Sequence, residues 1–138
     1  MTDSLDHTQA EHYLLNKPEA KLDFPFGEEV KVFKVKNKMF ATLAIGKMGK
    51  GDDETASSEK GSWWMNLKCD PDEAVMLRDI FPSIIPGYHM NKKLWNTVIL
   101  DGSIPQGEIE RMMDNSYLLV VGKMTKKDQQ SILLHIGT

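Results

Sequence analysis

Residues 30–45 read Val30-Lys-Val-Phe-Lys-Val-Lys36, then Asn37-Lys38, then Met39-Phe-Ala-Thr-Leu-Ala-Ile45. Two runs rich in β-branched and aromatic residues flank a polar pair. Such side chains suit a pleated, half-buried surface, so the segment predicts a β-hairpin. Asn tolerates the positive φ of a tight primed turn, but the second turn position usually wants Gly, so Asn37-Lys38 predicts a turn looser than two residues. Strict alternation fails at Val32-Phe33. A bulge there turns Val30, Val32, Phe33 and Val35 to the core and Lys31, Lys34 and Lys36 outward.

Upstream, Ser4 or Asp6 can cap a first helix that ends before Pro18, with Leu5, Thr8 or Gln9, His12 and Leu14 or Leu15 as a thin stripe toward the sheet. Residues 21–27 (KLDFPFG) predict a loop that tucks Phe24 and Phe26 against the core. Downstream, residues 46–61 carry four glycines, several acids and no apolar periodicity, which predicts a flexible loop at a hairpin tip. Trp63 to Cys69 alternates as a third strand. Asp70-Pro71 pairs an N-cap with a first helical residue, opening a short helix through Glu73, Ala74, Leu77 and Ile80. Ile84 to Met90 and Leu94 to Leu100 predict two more strands around the turn Asn91-Lys92-Lys93. Ser103 stands as the cap of the longest helix, with a stripe of Ile109, Met112 or Met113, Ser116, Val120 and Met124, and Tyr117 beside it. Thr125 to Gly137 closes the chain as a helical turn or a tail strand. Strands in hairpins with helices between them imply an α+β two-layer sandwich, a twisted antiparallel sheet of about five strands covered by helices.

The chain has 138 residues, 41% hydrophobic and 27% charged, which fits one globular domain over residues 1–138 and neither a disordered nor a membrane protein. The polar start lacks the apolar core of a signal peptide, and a single cysteine, Cys69, agrees with a reducing compartment, so a cytoplasmic monomer is expected. The net charge of −3 hides a sharp partition: residues 1–29 hold seven acids and two lysines, residues 30–50 six lysines and no acid, residues 51–138 thirteen acids and nine bases. A local basic patch can dock a phosphate backbone even when the total is negative. Lysines along a hairpin edge also serve simply to discourage aggregation.

Three longer stretches then point to a family: residues 86–98 (PGYHMNKKLWNTV), residues 100–105 (LDGSIP) and residues 114–120 (DNSYLLV). With Lys17-Pro18, residues 23–27 (DFPFG) and residues 38–41 (KMFA), they resemble the MmcQ/YjbR-like family of small bacterial proteins. The combination of Asn91, Lys92, Trp95, Asp101, Gly102, Ser103, Ser116 and Tyr117 carries the likeness. The resemblance implies a frataxin-like (CyaY-like) α+β sandwich. It also implies a DNA-binding module in which β-hairpins act as a double wing; read from the charge run and the second-hairpin cluster of this sequence, the candidate contacts are Lys31, Lys34, Lys36, Lys38, Tyr88, His89, Asn91, Lys92 and Lys93. The chain departs from the family pattern at Leu94, where His is frequent, and at Asn37, where Gly is usual; the second implies an altered wing tip.

Chemistry adds little in favour of an enzyme. Ser103, His89 and Asp101 hold the groups of a nucleophilic triad, but Ser103 and Asp101 already have work as cap and turn residues. His7 and His12 lie five apart, off one helical face, and Cys69 has no CxxC partner, so no metal motif is present. Gly46, Gly49 and Gly51 precede Asp52-Asp53-Glu54, acids that repel phosphate, so the segment is no phosphate loop. Trp63 and Trp64 point to opposite faces of a strand, one into the core and the other a candidate surface aromatic. Tyr88 and Trp95 are expected beneath the closing helix. Without catalysis, metal or cofactor, two readings remain. One is a module that binds DNA weakly through its backbone. The other is a domain that binds another protein or a small ligand. Convergence of Lys31, Lys34, Lys36, Lys38, Lys92 and Lys93 on one face favours the first, and their scatter the second.

Overall fold

The computed structural model describes residues 6–46, 62–88 and 90–136. The expected loop after Gly46 lies outside them, as do Ser4 and Leu5 of the first helix and the candidate contact His89. Among the described residues the order is α1 (His7–Leu15), β1 (Ala20–Asp23), β2 (Lys31–Val35), β3 (Lys38–Ile45), β4 (Trp63–Lys68), α2 (Pro71–Ile80), β5 (Ile84–Pro86), β6 (Trp95–Leu100), α3 (Gln106–Val121) and α4 (Lys126–Ile136). The strands form one antiparallel sheet in the order β1-β2-β3-β4-β6-β5. Side chains from all four helices join Phe33, Phe40, Leu43, Met65, Leu67 and Val98 in a single apolar cluster, which places the helices on one face. The α+β sandwich is thus as the sequence implied, with six strands rather than five.

The additional strand is β1. Its alternation of Ala20, Lys21, Leu22 and Asp23 reads as polar loop, yet Ala20 and Leu22 pack on the core while Lys21 and Asp23 face solvent at a charged sheet edge. The chain leaves that edge with Phe24 and Phe26 43% and 66% exposed, so neither is tucked into the core. In α1, Asp6 is the cap: its carboxylate accepts from the Gln9 N–H at 2.8 Å while the Gln9 side chain accepts from the Asp6 N–H at 3.0 Å. The buried stripe is Ala10 and Leu14, not Thr8, Gln9 or His12. Small Ala10, one turn before Leu14, lets the helix lie close on the sheet.

The β2–β3 turn is tighter than expected. Val35 pairs with Lys38 across Lys36-Asn37, whose φ angles of +47° and +65° are those of a primed two-residue turn. Asn37 serves where Gly is usual because Asn is among the side chains most tolerant of the left-handed region. The bulge also moves. Lys34 pairs with Met39 but Phe33 with Ala41, so the extra residue is Phe40 on β3. Strand β2 therefore alternates regularly: Phe33 and Val35 join the helix-side core, and Val32, equally buried, lies on the other face.

Further along, Asp70 accepts from the N–H groups of Asp72 and Glu73 to start α2, which buries Ala74 and Leu77 and leaves Ile80 59% exposed. Strand β5 is three residues long and lies at the sheet edge, where Pro86 is tolerated because its missing N–H would face away from β6, while the Gly87 N–H bonds the Trp95 carbonyl beyond it. The connection to β6 is then a wrapped loop over 87–94 rather than a three-residue turn. Helix α3 is the longest and buries Ile109, Met112, Met113, Ser116, Tyr117 and Val120, as the periodicity predicts. Its N-cap is Pro105, not Ser103.

Candidate functional site

The hairpin lysines come first. Lys31 reaches the helix layer and pairs with Glu11 of α1 at 2.6 Å. Lys34 lies on the opposite face and pairs with Asp23 of β1 at 2.9 Å; that hydrogen bond holds the Asp23 carboxyl below its usual range. Lys36 turns back to the helix side, 3.0 Å from Glu19 and 3.2 Å from the Ser131 hydroxyl of α4. Three of the six lysines are thus split between two faces and partnered by acids from upstream, a pairing that a count along the chain cannot show. Lys38 is exposed at the turn. In the β5–β6 loop, Lys92 donates to the Gly87 carbonyl at 2.8 Å, and Asn91 accepts from the N–H groups of Lys93 and Leu94 at 2.9 and 3.2 Å. The topology does bring the two connections to one end of the sheet, since β2 and β5 run the same way. They stand three strand spacings apart, about 14 Å.

The tryptophans divide as alternation requires. Trp63 faces the helices, stacked on His7 with ring centroids 4.2 Å apart and Lys31 Nζ 5.8 Å from its ring centre. Trp64 faces away from them. Its indole lies flat against Gly46, where any Cβ would fall 1.9 Å from a ring carbon, so only glycine admits it. Tyr88 meets Trp64 edge-on at 5.3 Å, which puts it on the face opposite the closing helix. Trp95 is buried on that same face, by alternation from Asn96, which points to the helices. Neither aromatic lies under α3 as expected: the tight Gly87–Trp95 approach, with the Gly87 N–H donating to the Trp95 carbonyl at 2.9 Å, folds the loop the other way.

On this face Trp64 and Tyr88 wall a cleft of about 500 Å³ that Phe26, Val30 and Met90 also line. That volume lies in the range of small-molecule sites, about 300–1,000 Å³. Its floor is polar. Asn66 and Thr42 point into it, and a network beneath fixes Tyr88: the Thr97 hydroxyl donates to Asn66 Oδ1 and accepts from the Tyr88 N–H at 2.8 Å, while Asn66 Nδ2 donates to the Tyr88 carbonyl at 3.4 Å. Glu29 stands at the rim. Of these residues the sequence reading singled out Tyr88 and the Trp63-Trp64 pair. It missed Phe26, Glu29, Thr42 and Asn66 as site residues. The recoverable signal was polar Thr42, Asn66 and Thr97 at alternate positions of otherwise apolar strands.

Asp101 and Ser103 have the turn work that the sequence assigned them, and His89, the third group weighed for a triad, lies outside the described residues. Ser103 donates to Asp101 Oδ1 at 2.7 Å through its hydroxyl and at 3.0 Å through its N–H, and Ser83 bonds the other carboxylate oxygen. Burial pushes the Asp101 carboxyl up, but these hydroxyl and amide donors outweigh it and hold the group below its usual range. The trio braces the β6–α3 turn. Among the described residues no three His, Cys, Asp or Glu side chains stand close enough to share a metal, and no helix is long and apolar enough to cross a membrane. Cys69 is buried, which raises its thiol to about 11, with Glu73 adding to the rise.

The comparisons with known proteins match this architecture. The YjbR family model aligns with residues 15–119, most of the chain. The chain belongs to the YjbR family. It is 34% identical over 126 residues to the Escherichia coli O157:H7 protein YbdF, covering 91% of this chain and 93% of that one. It also matches Bacillus subtilis YyaQ, 40% identical over 55 residues, spanning 40% of this chain and 46% of the relative. The crystal structure of Deinococcus radiodurans DR2400, a DUF419 domain, superposes with a TM-score of 0.78 at 33% identity over 95% of this chain and 90% of that one. A Pseudomonas syringae crystal structure superposes at 0.69, with 30% identity over 83% and 98%.

In this YjbR-family protein the motif residues chiefly hold the fold. Ser116 is the clearest case. The Phe40 bulge ends the β3–β4 ladder at Ala41–Leu67, and the buried Ser116 hydroxyl enters the gap, donating to the Phe40 carbonyl at 2.5 Å and accepting from the Lys68 N–H at 2.8 Å. Tyr117 donates to the Pro18 carbonyl at 2.7 Å and meets Phe40 edge-on at 5.3 Å, fastening α3 to the end of the first helix. Burial, with Glu19 nearby, pushes its phenol up to about 12. Asp114 accepts from Tyr13 at 2.9 Å and pairs with Lys17, a second clasp between α1 and α3.

Proposed function

We propose that this YjbR-family chain is a noncatalytic binding protein whose ligand site is the aromatic cleft on the face of the sheet opposite the described helices. The observation that carries the reading is the cleft itself: about 500 Å³, walled by Trp64 and Tyr88, with Asn66 and Thr42 as a polar floor. Apolar walls with a few placed polar groups are the usual composition of a small-ligand site. Titration of ¹⁵N-labelled protein with a library of small aromatic and amine fragments tests it. Shifts concentrated at Thr42, Trp64, Asn66 and Tyr88 support the cleft. Shifts scattered over the surface, or confined to the helix layer, overturn it.

A nucleic-acid reading has one observation in its favour, the shared end of the sheet for the β2–β3 turn and the β5–β6 loop. Against it stand the ion pairs of Lys31, Lys34 and Lys36, since a paired ammonium must break one contact to make another. If DNA binds through about four phosphates, the log–log salt slope is near −3 to −4, and Lys34→Gln with Lys36→Gln flattens it for every sequence alike. Anisotropy of labelled duplex and single-stranded DNA at two salt concentrations decides this. Absence of binding at low salt, with tens of micromolar protein, removes the wing reading.

A further inference from the structure

We infer that the cleft takes a small organic cation whose charge is carried on apolar groups, a methylated ammonium. This rests on the cleft being the ligand site and goes beyond it by naming the chemistry. Three observations converge. First, the walls are aromatic: Trp64, nearly buried with one ring face against Gly46, and Tyr88 meet at an interplanar angle of 83°, forming a corner, and Phe26 beside it is the ring exposed to an incoming cation. Ring faces carry the negative end of the quadrupole and attract cations, most strongly those too poorly hydrated to prefer water. Second, the one ionisable group lining the cleft apart from the Tyr88 phenol is a carboxylate, Glu29; no lysine or arginine lines it among the described residues. Third, Glu29 has no ion-pair partner among the described residues, whereas Glu11, Glu19 and Asp23 nearby in sequence are each held by a lysine. Among the described residues the lysines of β2 and its turn are thus engaged elsewhere, and the carboxylate at the mouth is open to an incoming charge.

A compact ammonium such as that of lysine keeps its water more tightly, and a neutral apolar group gains nothing from Glu29. A methylated cation uses both elements, with its methyl groups against the rings and its charge toward the carboxylate. The floor groups, Thr42 and Asn66, suit a ligand whose tail carries a hydroxyl or carbonyl.

The test compares choline with 3,3-dimethyl-1-butanol, its neutral isostere, by ¹⁵N shift titration of the full chain, with sodium chloride balancing ionic strength. Choline is expected to bind about 2- to 30-fold more tightly than the alcohol, the range of a cation–π contact from exposed to desolvated. Glu29→Gln, an exposed substitution, is expected to weaken choline several-fold and leave the alcohol unchanged. Trp64→Phe should weaken both, with circular dichroism confirming the fold. Equal affinity of the two compounds, or choline shifts that Glu29→Gln does not alter, overturns the cation assignment while leaving the cleft as a site for neutral ligands. No shift at the cleft with choline at tens of millimolar overturns it as well; the fragment titration then decides separately whether the cleft binds anything.

Discussion

The two faces of the sheet are built on opposite terms. On the helix side, Phe33, Phe40, Leu43, Met65 and Val98 are fully buried, and the polar groups admitted there, above all Ser116, are placed where a carbonyl and an amide need them. On the other side Thr42, Asn66 and Thr97 alternate with Trp64 and Tyr88, no described helix covers them, and the surface recedes into a cleft. The difference teaches where to look for function. A buried face is selected for fit, because a cavity or an orphaned polar group costs free energy at once. A half-open face with buried polar side chains and large rings is dispensable to that core.

The comparison breaks first, if it breaks, at Phe40. Phe40→Ala removes a fully buried ring that packs on Tyr117, and a loss of about 3–5 kcal/mol is expected in urea unfolding. A loss below about 1 kcal/mol would mean that the bulge is not a core position. Next is Ser116→Ala, which leaves the Phe40 carbonyl and the Lys68 N–H facing each other without their bridge. About 1–3 kcal/mol should be lost, and amide exchange at Lys68 should accelerate. Unchanged exchange there would show that the ladder closes without Ser116.

Asp101 gives a pH signature. Its folded value lies below the ordinary 3.8, so its stabilisation is complete above that value and is lost as pH falls through the folded one. Asp101→Asn should therefore cost about 1–2 kcal/mol at neutral pH, with the gap to the parent closing below about pH 4. A gap independent of pH would assign the effect to shape rather than charge. Cys69 sharpens the burial claim without a large energy. With its thiol raised to about 11, only about one in a thousand is thiolate at pH 8, so alkylation should be slow in the folded protein and fast in urea. The smallest effect is expected at Lys34→Gln. The pair with Asp23 is solvent-exposed and screened by water, so stability should barely change while Trp64→Phe alters ligand shifts on the same face.

Much of this was legible in the chain. Local rules sufficed for the Asp70-Pro71 helix start, the stripe of α3 and the existence of the β2–β3 hairpin, since each depends on neighbours a few residues away. The motif around Asn91, Trp95, Asp101 and Ser116 was enough to place the chain in its family. Strand β1 was not legible, because an edge strand alternates charge with small apolar residues and so resembles a loop. The bulge was read one strand too early: Val32 and Phe33 are both buried, and a sequence does not say that two buried neighbours lie on opposite faces.

The destination of the lysines and the location of the cleft belong to tertiary structure alone. Six lysines in a row of residues without acid are a property of the chain. Whether they form a field depends on Glu11, Glu19 and Asp23 arriving beside three of them, contacts that only the packing of α1 and β1 on β2 creates. In the same way Phe26, Glu29, Trp64, Asn66 and Tyr88 span more than sixty positions of sequence and become one surface only when β3, β4 and β6 pair in register. Hydrophobic periodicity determines which face of each element is buried; which buried faces meet, and what is left uncovered between them, is decided by the order of the strands.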